Sequence, residues 1–127
     1  MLNESVKFGH LMIEDDKILY IDDDFFIMYD GFPTSPGHIL IITNGTEKDY
    51  FELSQGKKNK LSQMLDKAKE IIEGEYNPDG YNIGMNCGVT SGQTVMHFHC
   101  HVIPRFKGDV DNPSGGVRHC VMHKGYY

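Results

Sequence analysis

The chain has 127 residues, of which 39% are hydrophobic and 24% charged, as in a single folded domain and unlike a disordered segment. Its net charge of −6 argues against a general nucleic-acid or membrane-surface binder, because such proteins carry a basic stripe. No apolar run approaches the ~20 residues of a membrane span.

The first part of the chain predicts strands. "KILYIDDDFFIMYD" predicts two, Lys17–Ile21 and Phe25–Tyr29, joined by the acidic turn Asp22–Asp24.

The next two segments are a loop and a buried strand. "GFPTSPGH" contains two prolines and two glycines, which favour a loop. "HILIIT" is apolar and β-branched, a composition typical of a buried strand.

One long helix follows, with apolar residues largely at i, i+3 and i+4 and Gly74 as its stop. Beyond it, "NPDG" predicts a turn, "YNIGMN" a strand and Gly88–Gly92 a loop. From Gly108 onward we expect loop, with a short strand near Val117–Met122. The sequence therefore predicts an α+β domain, a mainly antiparallel sheet covered by the helix. The apolar helix residues are Leu53, Leu61, Met64, Leu65, Ala68, Ile71 and Ile72.

The cysteines indicate the cellular setting. Cys87, Cys100 and Cys120 are odd in number and form no Cys-x-x-Cys pair. We therefore expect neither a disulfide framework nor a structural zinc site. The chain also shows no charged-then-apolar leader, so we expect a protein of the reducing cytoplasm.

The stretch "GQTVMHFHCHVIPR", Gly92–Arg105, places histidines at every second position, His97, His99 and His101. Side chains two residues apart in a strand share one face. The intervening Phe98, Cys100 and Val102 suit a buried opposite face. The pattern predicts a strand with a row of imidazoles on one side and core on the other.

Such a row is compatible with surface decoration, a metal site or nucleophilic chemistry. Three collinear residues span about 13 Å of strand, whereas nitrogens bound to one zinc ion lie about 3.4 Å apart. A metal would thus need a ligand from elsewhere. A middle imidazole, mostly neutral at cytoplasmic pH, can instead attack phosphorus while its neighbours orient it and handle protons.

The same residues resemble the signature of the histidine triad (HIT) superfamily, in which three histidines alternate with apolar residues. "DGFPTSPGHILII" resembles that family's upstream Pro-Gly-His segment, and "NPDGYNIGMNCGVTSGQ" its glycine-rich approach to the triad. Together these segments cover most of residues 17–110. Within the tail, 108–127, the stretch "GDVDNPSGGVR" resembles a bacterial branch often labelled as dinucleoside polyphosphate hydrolases. The resemblance implies one HIT domain over residues 1–127, and a homodimer.

The resemblance also implies catalytic roles. His99 would attack the α-phosphate of a nucleotide and form a nucleotidyl-histidine intermediate. His101 would help to protonate the leaving group and contact the phosphate. His97 and His38 would set the tautomer and orientation of the row.

Substrate-binding roles follow in the same way. Asp30 falls where the family binds ribose hydroxyls. Asn86, Gln93 and Thr94 would contact phosphate oxygens or the bridging oxygen. Many members bind a structural zinc through an N-terminal Cys-x-x-Cys, which nothing here matches, so we expect no metal and no cofactor.

These features predict an enzyme that hydrolyses or transfers a nucleoside monophosphate unit. Its substrate would be a small molecule, either a dinucleoside polyphosphate such as Ap3A or Ap4A or a nucleoside phosphoramidate. Two alternatives stay open: a nucleotide-binding regulator with little turnover, and a metal-dependent hydrolase that uses the histidine row. The part played by Arg118 in "GGVR" is also open.

Overall fold

The computed structural model describes residues 6–127, and residues 1–5 of the predicted domain lie outside that range. Its elements are β1 (Val6–Phe8), β2 (Leu11–Ile13), β3 (Ile18–Ile21), β4 (Phe25–Tyr29), β5 (Ile39–Thr43), α1 (Gln55–Glu73), β6 (Gly80–Gly84) and β7 (His99–Arg105). Five strands form an antiparallel sheet in the order β3-β4-β5-β7-β6, which together with the long helix α1 confirms the predicted α+β class. The strands β1 and β2 form a separate hairpin that precedes the sheet.

The helix ends at the predicted stop, Gly74, but begins at Gln55, after the Leu53 that was expected within it. The Ser54 hydroxyl accepts a hydrogen bond from the Lys57 amide and so satisfies one of the free amides at the helix start. At the other end, the Gly74 amide donates to carbonyls of the last turn. Leu53 lies just before the helix, although its side chain is buried with the helix residues. Burial of one apolar face against the sheet contributes most of the stability of α1.

Both faces of the sheet are covered, and the central strand β5 is therefore buried throughout. One face packs against α1. The opposite face carries a smaller apolar cluster of Phe8, Phe26, Leu40 and Ile42. The helix-side core contains Phe25, Ile27, Ile39, Ile41, Leu53, Leu61, Met64, Ala68, Ile72, Phe98, Cys100 and Val102.

Three features differ from the sequence-based expectation. The hairpin β1–β2 was not predicted, because its strands of three residues are too short to show an alternating pattern. The strand expected near Val117–Met122 is wrong: Gly116–Cys120 forms a 3₁₀ helix, begun by a positive φ at Gly115 that a strand does not tolerate. The histidine strand begins only at His99. Among residues 6–127, no helix is long and apolar enough to cross a membrane.

Candidate functional site

The site lies on the sheet face opposite α1. β7 pairs with β5 so that His99 stands opposite Ile42 and His101 opposite Leu40. Directly opposed residues in an antiparallel pair share a face, so both rings lie beside the smaller apolar cluster. Cys100, between them, is fully buried on the helix side, as expected. Burial raises the pKa of its thiol to about 12, so Cys100 is an inert core residue.

His97 does not belong to the strand, and the expectation of three strand residues in one row is wrong at this position. It lies two residues before β7, where the paired ladder with β5 has ended. Its ring is nevertheless held on both sides. Nδ1 accepts a hydrogen bond from the Gly9 amide at 3.2 Å, and Nε2 lies 2.8 Å from the Thr43 carbonyl. Because a carbonyl only accepts, the proton of His97 resides on Nε2.

The tautomer of His99 follows from the same reasoning. Its Nδ1 lies 2.9 Å from the carbonyl oxygen of His97, so Nδ1 carries the proton and donates it. The lone pair of a neutral ring is then on Nε2. Phe8 packs edge-on against both rings, with centroids 4.8 Å from His99 and 5.7 Å from His97. The hairpin that sequence reasoning missed thus supplies a wall and a hydrogen bond to the histidine row.

His38 joins the row from the position just before the neighbouring strand β5. Its Nδ1 accepts from the Thr34 amide at 3.1 Å, so Nε2 carries the proton and donates to Nδ1 of His101 at 2.9 Å. His101 therefore holds its own proton on Nε2. The turn before His38 depends on Gly37, whose φ is +87°, and a Cβ there would lie 2.9 Å from the Tyr76 ring.

Asp30 faces the pair of imidazoles. Its Oδ2 lies 3.4 Å from His38 Nε2 and 3.9 Å from His101 Nδ1, while Oδ1 accepts from the Phe32 amide at 2.8 Å. The structure thus brings Asp30 together with both histidines. Its role at a ribose stays a prediction.

Burial favours the neutral form of His38, His99 and His101 by lowering the pKa of each ring. Burial lowers the pKa of His99 and of His38, and the Asp30 carboxylate only partly opposes this. Burial, with the neighbouring His99 and His38 rings, lowers the pKa of His101 to about 4. Neutral rings keep one lone pair each, which nucleophilic chemistry requires.

A cavity of about 1050 Å³ opens beside His38 and His101. Asn86 is exposed and lines it, and the glycine-rich loop Gly88–Gly92 contributes Gly92. The C-terminal segment forms part of its wall through Val117, Cys120 and Val121.

Of the other predicted phosphate contacts, Thr94 is exposed, whereas Gln93 is buried. The amide oxygen of Gln93 accepts from the Gly88 amide at 2.8 Å, and its nitrogen donates to the carbonyls of Lys48 at 2.6 Å and Val95 at 3.1 Å. In this arrangement Gln93 holds the loop together through three backbone groups. Phosphate contact by Gln93 and Thr94 stays a prediction.

Arg118 lies within the tail itself. Its Nε donates to the Gly125 carbonyl at 3.0 Å, and its guanidinium stacks over the Tyr127 ring at 4.6 Å. These contacts fold the last residues back onto the 3₁₀ helix.

One cluster of side chains has the donor atoms of a metal site. Within residues 6–127, donor atoms of Asp30, His38 and His101 lie within 4.8 Å of one another. The ligand from elsewhere that a metal would need is therefore available. However, the 2.9 Å between the two ring nitrogens is a hydrogen bond with a proton on His38, and nitrogens sharing a zinc ion lie about 3.4 Å apart. The neutral, hydrogen-bonded set fits this geometry better than a metal centre.

Sequence reasoning missed three residues that hold the rings through their backbone, Gly9, Thr34 and Thr43. They act through amides or carbonyls, which every residue carries, so no side-chain pattern identifies them. The position of each becomes visible only once the chain is folded.

A sheet face that carries linked imidazoles beside a cavity, with one helix on the opposite face, defines a histidine triad protein. Comparison with known proteins agrees. The chain belongs to the HIT domain family, whose model matches residues 13–108.

Named relatives fall in the same family. The chain is 29% identical over 105 residues to a bis(5'-adenosyl)-triphosphatase of Dictyostelium discoideum, covering 83% of this chain and 70% of that protein. It is 36% identical over 77 residues to an asymmetrical bis(5'-nucleosyl)-tetraphosphatase of Schizosaccharomyces pombe, covering 61% of this chain but only 42% of that protein. Among solved structures, the diadenosine triphosphate hydrolase of Plasmodium falciparum, solved with cyclomarin A, superposes with a TM-score of 0.78. That match is 27% identical and covers 86% of this chain and 74% of the other.

Proposed function

We propose that the protein is a nucleotide hydrolase or transferase that acts at the α-phosphate of a dinucleoside polyphosphate such as Ap3A or Ap4A, or of a nucleoside phosphoramidate. The observation that carries this proposal is the tautomer of His99. The His97 carbonyl oxygen lies 2.9 Å from Nδ1 of His99 and keeps the proton on that nitrogen. The lone pair on Nε2 of His99 is therefore available to attack phosphorus. The names of the relatives, an adenosyl triphosphatase and a nucleosyl tetraphosphatase, support the substrate class.

The proposed reaction takes two displacements. His99 Nε2 bonds to the α-phosphorus as the bond to the leaving-group oxygen breaks, and the leaving group departs with that electron pair. The His97 carbonyl stabilises the positive charge that the substituted ring then carries. Water next attacks the same phosphorus and releases a proton to the solvent, Nε2 regains its electron pair and the nucleoside monophosphate leaves.

His101 would serve the leaving group. Because its Nδ1 accepts from His38, its Nε2–H is free to donate a hydrogen bond to the oxygen or nitrogen that departs. A polyphosphate leaves as a stable anion, whereas the amine of a phosphoramidate needs a proton. Substitution of His101 is therefore expected to slow phosphoramidate turnover more than polyphosphate turnover.

The substrate contacts follow from position. Asp30, with Oδ2 facing the paired rings, would accept hydrogen bonds from ribose hydroxyls. Asn86 would contact phosphate oxygens from the cavity wall, and Thr94 from its exposed position. The buried amide of Gln93 would act by shaping the loop that carries backbone amides toward the phosphates.

The experiment is to mix the protein with Ap4A labelled at the α-phosphate, quench with alkali, which preserves bonds between histidine and phosphorus, and score both adduct and AMP. Wild type is expected to give both. His99→Ala is expected to give no adduct and no turnover while nucleotide affinity stays within about tenfold, because the binding contacts are unchanged. His10→Ala, which removes an exposed histidine, is the matched control. Full turnover by His99→Ala would falsify the nucleophile assignment.

The same assay separates the alternatives. A regulator would bind the nucleotide yet give neither AMP nor adduct. A metal-dependent hydrolase would lose turnover on chelation and regain it with stoichiometric zinc or iron. Addition of inorganic phosphate distinguishes a hydrolase, which yields AMP, from a phosphorylase, which yields ADP.

A homodimer is part of this proposal. β6 is an edge strand of the sheet, with one side of its backbone not paired to another strand of the described chain. Pairing of two β6 strands about a twofold axis would join two sheets into one. Sedimentation equilibrium tests this directly, since a monomer at micromolar concentration would contradict it. The cytoplasmic location and the absence of nucleic-acid and membrane partners also remain proposals.

A further inference from the structure

A largely buried ion pair lies behind the histidine row, between α1 and the segment that follows β5. Lys57 Nζ lies 2.9 Å from Glu47 Oε2, and the two side chains are only 16% and 20% exposed. Lys57 also donates to the Thr43 hydroxyl at 2.9 Å, and that hydroxyl donates to Glu47 Oε1 at 2.7 Å. Placing two charges out of water is costly, so a pair in this position calls for a purpose other than stability alone.

The backbone of this segment holds the residues that precede the strand β7. The Thr43 carbonyl accepts the Nε2 proton of His97 at 2.8 Å, and the Thr43 amide donates to the Phe98 carbonyl at 3.2 Å. The Glu47 carbonyl accepts from the Phe98 amide at 2.8 Å. The chain between His97 and His99 is thus held by Thr43 and Glu47, the two residues whose side chains Lys57 contacts.

One peptide group links this segment to the proposed nucleophile. The Phe98 amide and the His97 carbonyl belong to the same planar peptide, whose N–H and C=O point in opposite directions. The N–H donates to the Glu47 carbonyl, and the C=O accepts the Nδ1 proton of His99 at 2.9 Å. A rotation of this peptide would remove the acceptor that keeps the His99 proton on Nδ1.

We infer that Lys57 and Glu47 are positioning residues that fix the His97–Phe98 peptide and, through it, the tautomer of His99. This inference rests on the proposed function, because the tautomer matters only if Nε2 attacks phosphorus. When the ion pair is lost, the segment after Thr43 moves and a fraction of His99 carries its proton on Nε2. A ring in that form has no lone pair toward the substrate. The turnover number falls, while substrate binding is unchanged.

The test uses Lys57→Met, which removes the ammonium and keeps most of the side-chain length, and Glu47→Gln, which removes the charge and keeps the shape. Lys60→Met is the matched control, since Lys60 lies on the same helix and forms its ion pairs with Asp22 at 3.2 Å and Asp24 at 3.7 Å rather than with Glu47. Lys57→Arg retains the positive charge. For each variant, kcat and KM are measured on Ap4A, and ¹⁵N-histidine NMR reports which nitrogen of His99 carries the proton.

We expect both charge-removing variants to lower kcat by roughly ten- to a hundredfold with KM within about twofold, as for a small misplacement of a reacting group. Their NMR spectra would show a mixture of His99 tautomers. Lys60→Met would match wild type in both measurements, and Lys57→Arg would recover most of kcat. If Lys57→Met does not fold, the isosteric Glu47→Gln decides the question.

Two results would overturn the inference: a folded Glu47→Gln with an unmixed Nδ1–H tautomer and wild-type kcat, or an equal loss in Lys60→Met. Failure of the proposed function has a different signature. Wild type would then form no adduct and release no AMP, while the NMR comparison would still report whether the ion pair controls the tautomer.

Discussion

Acidification is expected to unfold this protein through its buried histidines, before its carboxylates contribute. The pKa of His101 is about 4, lowered from 6.5 chiefly by burial, so the folded state resists a proton that the unfolded chain accepts. Stability from such a group is complete above pH 6.5 and is lost as the pH falls from 6.5 through about 4. At 1.36 kcal/mol per pKa unit, His101 alone lowers the unfolding free energy by about 3 kcal/mol over this range. The lowered pKa values of His38 and His99 add to the loss.

Urea unfolding followed by circular dichroism at pH 7, 6, 5 and 4.5 measures this effect. The informative quantity is the slope of unfolding free energy against pH, because it does not depend on the absolute stability of a variant. His101→Gln is expected to show a shallower slope than wild type, whereas Lys60→Met, which removes no histidine, retains it. Carboxylates with a lowered pKa, such as Asp109 at about 2, lose their contribution mostly below pH 4. An identical slope in wild type and His101→Gln would refute the reasoning.

Three further predictions concern the rings and their supports. The acid limb of kcat/KM is expected below pH 6.5, because burial lowers the pKa of His99 and keeps it neutral in mild acid; a limb centred at 6.5 or above would contradict this. Gly37→Ala is expected to lower the unfolding free energy by roughly 1–3 kcal/mol, measured by thermal unfolding, since φ is +87° and the new Cβ would press on Tyr76. Phe8→Ala is expected to lower it by about 3–5 kcal/mol, because Phe8 is 8% exposed and packs on His97 and His99; a loss under 1 kcal/mol would show that the hairpin is only loosely packed.

The order of elements and the strand face of the site were predictable because they depend on local patterns. Phe25–Tyr29 and the end of the helix at Gly74 match the structure, since a short apolar run that follows a turn and a glycine stop are local signals. The alternation of His99 and His101 with buried neighbours likewise fixed which rings share a face.

The remainder of the site depends on contacts between distant residues. His97 departs from the strand because the β5–β7 ladder ends at His99, and the sequence contains no mark of that end. The polarity of Gln93 suggests a phosphate ligand. Its side-chain amide is instead hydrogen-bonded to three backbone groups that lie 2 to 45 residues away in the sequence. The short strand expected near Val117–Met122 is a 3₁₀ helix instead, because two glycines begin the helix and outweigh the β-branched valines.

The cavity is lined by two parts of the chain, the imidazoles of His38 and His101 and the C-terminal segment. The rings are fixed by the sheet, whereas Val117, Cys120 and Val121 come from the last residues of the chain and remain largely outside both apolar cores. Residues that contribute little to folding tolerate change, so this wall is free to diverge while the imidazoles stay in place. Changes in the size of this cavity that spare the imidazoles should therefore be made at Val117, Cys120 and Val121.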